Sequence, residues 1–216
     1  MDACCTDKSS ALAHLSERQT YTLRVVLVLN AAMSVVEFSA GLLAGSVALL
    51  GDSLDMLGDA LVYGFSLYAV GLGSVWTARA ALTKAAVMGL LGAVVLGQLV
   101  FKLLHPQIPV VEAMGAIGAL ALIANGVCFA LLWRHRAEDI NMRSVWLCSR
   151  NDLIANVSVL VAAWAVWVVQ SPWPDVLVGA LIATVFLRSA LVVAREARDE
   201  LRAGEKVAGT VSAPRH

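Results

Sequence analysis

Residues 47–72 read VALLGDSLDMLGDALVYGFSLYAVGL, an apolar stretch interrupted by three aspartates, Asp52, Asp55 and Asp59. At about 1.5 Å per residue, a helix of this length can cross a hydrocarbon core of about 30 Å. An ionised carboxylate near the bilayer centre costs on the order of 2.5–3.5 kcal/mol on insertion scales. We therefore expect a membrane-spanning helix whose carboxylates serve a function inside the bilayer.

The whole chain has the composition of a membrane protein. Of its 216 residues, 59% are hydrophobic and 15% are charged, and the mean hydropathy is +0.77. Residues 1–22 are expected to form a cytoplasmic N-terminal segment and residues 195–216 a short cytoplasmic tail, so that function resides in the membrane. Apolar runs predict an all-α membrane protein with six transmembrane helices, at 23–45, 47–72, 81–104, 110–133, 145–169 and 173–194.

Lysine and arginine residues predict how the chain is oriented. They cluster before the first span, around the second and fourth loops and after the last span, whereas the other three loops have only Lys102 beside them. By the positive-inside rule, both termini are expected to be cytoplasmic. The 16 basic and 16 acidic residues give a net charge of +0, so we expect a lipid bilayer as surroundings and no nucleic acid as a partner.

Two spans carry polar side chains on one face each. The three aspartates of the second span fall within about 60° of one another on a helical wheel. The fifth span has a matching stripe at intervals of four residues, Cys148, Asp152 and Asn156. Asp59 is expected about 18 Å below the outer membrane surface and Asp152 about 12 Å above the inner one. The two stripes are therefore predicted to meet at one depth.

Two facing helices that each offer two side chains one turn apart can supply four ligands to a divalent ion. We expect these ligands to be Asp55, Asp59, Cys148 and Asp152. A thiolate with carboxylates suits Zn²⁺ or Cd²⁺ better than Mg²⁺ or Ca²⁺, which prefer oxygen ligands. The alternative interpretation is that the aspartates only form structural hydrogen bonds and that Cys148 packs as a small apolar side chain.

Further polar residues in the spans have open roles. Asp52 shares the face of the ligands, and with Asn156 it is expected either behind them or on the ion path; as an alternative, Asp52 is an acid near a helix N-terminus. Glu37 and Arg150 are expected to form a structural ion pair, with a proton-relay role as the alternative.

The four cysteines are expected to be thiols, because two are adjacent in sequence and two lie in spans. Cys4 and Cys5 have two interpretations, capture of metal at the cytoplasmic mouth or an unstructured tail. Cys128 has no polar neighbour one turn away, and we expect it to contribute to packing only.

The stretches 44–59, AGSVALLGDSLDMLGD, and 148–160, CSRNDLIANVSVL, resemble the cation diffusion facilitator family of divalent-metal transporters. In this family the second span carries the pattern A-D-x-x-H/D-x-x-x-D and the fifth the pattern H/D-x-x-x-D. Asp55 and Cys148 stand where many members have histidine. The resemblance covers about residues 20–196 and implies that the same four side chains hold the transported ion inside the membrane.

The resemblance also implies the function of the chain. It indicates an efflux transporter for a divalent metal cation of the Zn, Cd or Co type, which is not an enzyme and needs no cofactor. Because the ligands must lose protons to bind metal, we expect proton antiport. A multi-pass protein of the cell (inner) membrane and a homodimer are expected, without the family's cytoplasmic C-terminal domain. The alternatives are a metal-binding accessory subunit and an intramembrane metalloenzyme.

Overall fold

The computed structural model describes residues 17–69, 74–134 and 140–211. These ranges contain helices and no strands, so the all-α fold class is confirmed. The helices are α1 (Glu17–Ala44), α2 (Val47–Ala69), α3 (Ser74–Leu104), α4 (Val111–Trp133), α5 (Ile140–Val169) and α6 (Trp173–Val211).

Four helices are longer than the apolar runs that identify them. Helices α1, α3 and α5 begin before residues 23, 81 and 145, and α6 continues past residue 194 to Val211. The residues added to α6 include many alanines, glutamates and arginines, which favour helix in water as well as in lipid. Hydropathy therefore marks where a helix is apolar, whereas helix propensity decides where it ends.

Five helices are long and apolar enough to cross a membrane by length and composition: Thr20–Ala44, Ala85–Leu104, Val111–Trp133, Ser149–Val169 and Trp173–Val192. Helix α2 is also long enough, with 23 residues, but it carries the three aspartates. It is shielded by protein, because it contacts α1, α3, α5 and α6. Its carboxylates therefore do not need to face lipid. The cytoplasmic location of the termini stays a prediction.

The six helices form two groups, which are joined by contacts of α2 with α3 and α6 and of α5 with α6. Helix α3 packs along α6, while α1, α4 and α5 lie together with α2 on the other side. Each of the four apolar clusters in the described core contains a residue of α2, namely Tyr63, Val47, Ala48 and Met56 in turn. The position of α2 therefore determines where the polar side chains of the bundle lie.

The turn between α1 and α2 is built by Gly45 and Ser46. Gly45 has a φ angle of 65°, in the left-handed region that glycine adopts without a Cβ clash. The N–H of Ser46 donates to the carbonyl oxygen of Gly41 at 2.9 Å, which closes the end of α1 as a Schellman motif. The Ser46 hydroxyl accepts a hydrogen bond from the N–H of Leu49 at 3.2 Å and so caps α2.

A buried ion pair fixes this turn to two other helices. The carboxylate of Asp175, in the first turn of α6, accepts hydrogen bonds from the Ser46 hydroxyl at 2.6 Å and from the first two N–H groups of α2 at 3.0 Å. It also pairs with the ammonium of Lys102 in α3 at 2.7 Å, with both side chains buried. Lys102 donates in addition to the Gly45 carbonyl oxygen. We call Asp175, Lys102 and Ser46 the Asp175 clamp.

The clamp predicts a large difference between two acids that both lie in the first turn of their helices. Asp175→Asn leaves the Lys102 ammonium buried without a counter-charge, and we expect it to lower the free energy of unfolding by about 3–5 kcal/mol. Glu112, in the first turn of α4, is exposed, so Glu112→Gln should change it by less than about 0.5 kcal/mol. Unfolding of both variants in detergent, followed by circular dichroism, checks this. Equal unfolding of the two variants would contradict it.

Candidate metal site

The three aspartates of α2 all lie inside the bundle but point toward different neighbours. Asp52 is fully buried and Asp59 is 8% exposed, while Asp55 is half-buried. Asp52 contacts α5, Asp59 lies toward α4, and Asp55 lines a cavity between α2, α5 and α6. The three aspartates lie within about 60° of one another on the helical wheel, yet each has different neighbours.

A hydrogen bond joins the polar stripes of α2 and α5. The side-chain amide of Asn156 donates to Oδ1 of Asp52 at 3.1 Å. The same amide donates to the backbone carbonyl oxygen of Asp152, one turn earlier in α5, at 3.0 Å. Asn156 is 1% exposed, so this contact lies in the protein interior and sets the rotation of α5 relative to α2.

Asp59 and Asp152 lie near a common third group, the thiol of Cys128 on α4. Both carboxylates are within electrostatic range of this sulfur, which also accepts a hydrogen bond from the Asn30 amide at 3.7 Å. The hydroxyl of Tyr63 donates to Oδ2 of Asp59 at 3.5 Å. The thiol of α4 thus contacts α1 through Asn30, and both deeper aspartates lie within its electrostatic range.

The sequence predicts only a packing role for Cys128. The thiol does pack in an apolar cluster, with Leu23, Tyr63 and Leu132 among its members, and it also lies within electrostatic range of two carboxylates. One signal for it existed, since Cys128 follows Asn125 by one turn in an otherwise apolar helix and both side chains are buried. Two such residues at helical spacing indicate a face that points into a polar interior.

Asp55 borders a cavity of about 300 Å³ between α5 and α6. Asn151 and Ser158 of α5 contribute its polar lining, and the rest is mainly apolar. The volume is about ten times the 30 Å³ that a water molecule occupies in the liquid, so an ion with several waters fits in it. Asp55 is therefore the α2 carboxylate with the most room beside it.

Some of the predicted ligands lie outside what the structure describes. The described side chains do not include that of Cys148, and the described residues do not include Cys4 and Cys5. Within the described part of the chain, no three histidine, cysteine, aspartate or glutamate side chains are close enough together to hold a metal ion.

The predicted ion pair of Glu37 with Arg150 is wrong. Glu37 is fully buried, and neither of its carboxylate oxygens has a hydrogen-bond partner in the described structure. Arg150 is exposed and lines a surface groove of α5. The reason is helical geometry: Arg150 precedes Asp152 by two residues, which turns its side chain by about 200° away from the polar stripe.

Comparison with known proteins agrees with the predicted family. The sequence model of the cation efflux transmembrane domain matches residues 23–202. The zinc transporter ZitB of Yersinia pestis is 28% identical over 131 residues, which are 59% of this chain and 41% of ZitB. The chain thus matches less than half the length of this curated relative. From the match over nearly all of its helical region, the chain belongs to the cation diffusion facilitator family and is a multi-pass integral membrane protein.

Proposed function

We propose that this chain exports a divalent metal cation, Zn²⁺ or Cd²⁺, from the cytoplasm across the cell (inner) membrane in exchange for protons. The observation that carries the proposal is the position of Asp59 on α2 and Asp152 on α5, two acidic side chains inside an apolar bundle and within electrostatic range of the same thiol. Membership of a cation efflux family supports it, as does the similarity to a protein named as a zinc transporter.

The proposed ligands are Asp55 and Asp59 of α2 with Cys148 and Asp152 of α5. A spacing of four residues places the members of each pair one turn apart on a shared helix face. The hydrogen bond between Asn156 of α5 and Asp52 of α2 supports this pairing of the two helices. Three carboxylates and one thiolate would give the ion four ligands, the number that Zn²⁺ accepts in a tetrahedral site.

Proton exchange follows from the chemistry of these ligands. A carboxylate or thiol must be deprotonated before it binds the ion, so loading from the cytoplasm releases protons. Protonation of the same groups from the other side lowers their affinity and releases the ion. The ligands thus act as proton carriers, which explains how a chain with few ionisable groups in its membrane segments can couple two ions.

Alternating access fits the grouping of the helices. We infer that α1, α2, α4 and α5 move relative to the α3–α6 pair, about a site near the middle of the membrane. The cavity beside Asp55 lies along α6, next to the junction of the two groups. This junction is where a small rotation would change access to the ion.

The transport function can be tested with the full chain in proteoliposomes under an imposed pH gradient. We expect gradient-driven accumulation of Zn²⁺ and Cd²⁺, and its loss to the level of empty vesicles in Asp59→Ala, because one charged ligand is gone. Glu112→Gln removes an exposed carboxylate and should transport like the wild type. If neither ion accumulates in correctly inserted protein, an accessory metal-binding role replaces transport.

The role of the thiol can be tested by metal preference. Cys148→Ser replaces a soft ligand by a harder one, and we expect transport of Cd²⁺ to fall about tenfold relative to Mn²⁺, equivalent to about 1.4 kcal/mol. Cys128→Ser, measured in parallel, separates the two thiols. A Cd²⁺ to Mn²⁺ ratio that changes only in Cys128→Ser would assign the sulfur ligand to α4 instead of α5.

A further inference from the structure

Glu37 is a buried acid of the bundle that is not among the proposed transport ligands. It is 0% exposed, and both of its carboxylate oxygens lack a hydrogen-bond partner in the described structure. Buried polar groups in proteins are nearly always hydrogen-bonded, because losing water without a substitute is costly. A fully buried carboxyl group with no donor to either oxygen therefore needs a proton or a cation.

Two further unpartnered oxygens accompany this carboxylate. Asp52 is 0% exposed, and among the described residues neither its Oδ2 nor the Oδ1 of Asn156 has a hydrogen-bond partner. The amide nitrogen of Asn156 already donates to Asp52 and to the carbonyl oxygen of Asp152. An amide group has two N–H donors, and these two hydrogen bonds use both of them. The amide oxygen of Asn156 is therefore the atom that is left to bind another group.

The carboxyl groups at this position have no basic partner in the described structure, since the buried Lys102 is held by Asp175. Glu37 and Asp52 are close enough to form a hydrogen bond through a shared proton, and Asp55 lies nearby. Burial costs several kcal/mol per ion when no counter-charge is present. A shared proton or a bound cation can therefore neutralise the position.

We propose that Glu37, Asp52 and Asn156 form a second divalent cation site, contributed by α1, α2 and α5. Carboxylate and amide oxygens are its ligands, which suits Mn²⁺, Mg²⁺ and Co²⁺ and binds Zn²⁺ or Cd²⁺ less tightly than a site with a thiolate. Asp52 precedes Asp59 by seven residues, or about 10 Å along α2, on the side of the α1–α2 turn.

The role of this second site rests on the proposed transport function. An ion that leaves the ligands of α2 and α5 toward the α1–α2 turn meets Glu37 and Asp52 next. Oxygen ligands attract the cation but release it more readily than a thiolate does, so the site serves as a station during release. The existence of the site is independent of this role and can be measured in the absence of transport.

The test is to count Co²⁺ ions bound to the purified full chain by equilibrium dialysis, together with the thiolate-to-cobalt charge-transfer absorption. We expect Glu37→Gln and Asp52→Asn each to bind one ion fewer than the wild type while the charge-transfer absorption remains. Glu112→Gln, the same change at an exposed position, should bind as the wild type does. Either of the two site variants suffices if the other fails to fold.

Two results would overturn the second site. If Glu37→Gln and Asp52→Asn bind as many ions as the wild type with the same affinity, then protons neutralise the carboxylates. If either change also removes the charge-transfer absorption, then Glu37 belongs to a single connected site. The Asp59→Ala variant tests the transport ligands separately from the second site. Charge-transfer absorption that is retained in Asp59→Ala contradicts the proposed transport ligands. The ion that depends on Glu37 is still counted in this variant.

Discussion

The arrangement of the bundle depends on one carboxylate, that of Asp175. It neutralises Lys102 of α3 and accepts hydrogen bonds from the Ser46 hydroxyl and from the first two N–H groups of α2. A helix N-terminus carries a partial positive charge and unsatisfied donors, so a carboxylate there is stabilising twice over. Without this contact the start of α2 would have orphan donors in an apolar setting, and the helix that carries the acidic residues would not be fixed.

Buried acids are handled in two different ways in this protein. Asp175 is surrounded by donors and a cation, which makes it a structural group. Glu37 has no donor to either oxygen in the described structure, and its nearest ionisable neighbour is another acid. The same chain thus contains both a satisfied and an unsatisfied buried carboxylate. Under the proposed second cation site, the second kind serves to bind a ligand and does not contribute to stability.

Hydropathy and the positive-inside rule could predict the number of helices and the existence of a polar stripe on two of them, because both depend on local composition. They could not predict that Lys102, an exception to the charge pattern, pairs with Asp175, since 73 positions separate the two residues and only the packing of α3 on α6 brings them together. The predicted ion pair of Glu37 with Arg150 is wrong for the opposite reason. The two residues have opposite charges, but Glu37 is buried and Arg150 lies on the exposed face of α5.

The helical wheel likewise identified a face of α2 but not its neighbours. Asp59 and Asp52 are both on that face, yet one lies near Cys128 of α4 and the other bonds to Asn156 of α5. Crossing angles between helices decide such partners, and these arise from the shapes of many apolar side chains. Cys128 was missed because its role is visible only once α4 is placed beside the carboxylates.

The α1–α2 turn also has a mechanical consequence. It is tied to α3 and α6 by the Asp175 clamp and to the start of α4 by the N–H of Val110, which donates to the Ala44 carbonyl oxygen at 3.0 Å. Farther along α2, its described core contacts are mainly apolar. Helix α2 is thus fixed at its Ser46 end and can tilt about that point. Asp59 lies about 20 Å from that point, so a tilt of about 10° displaces its carboxylate by about 3 Å, a distance comparable to a metal–ligand bond.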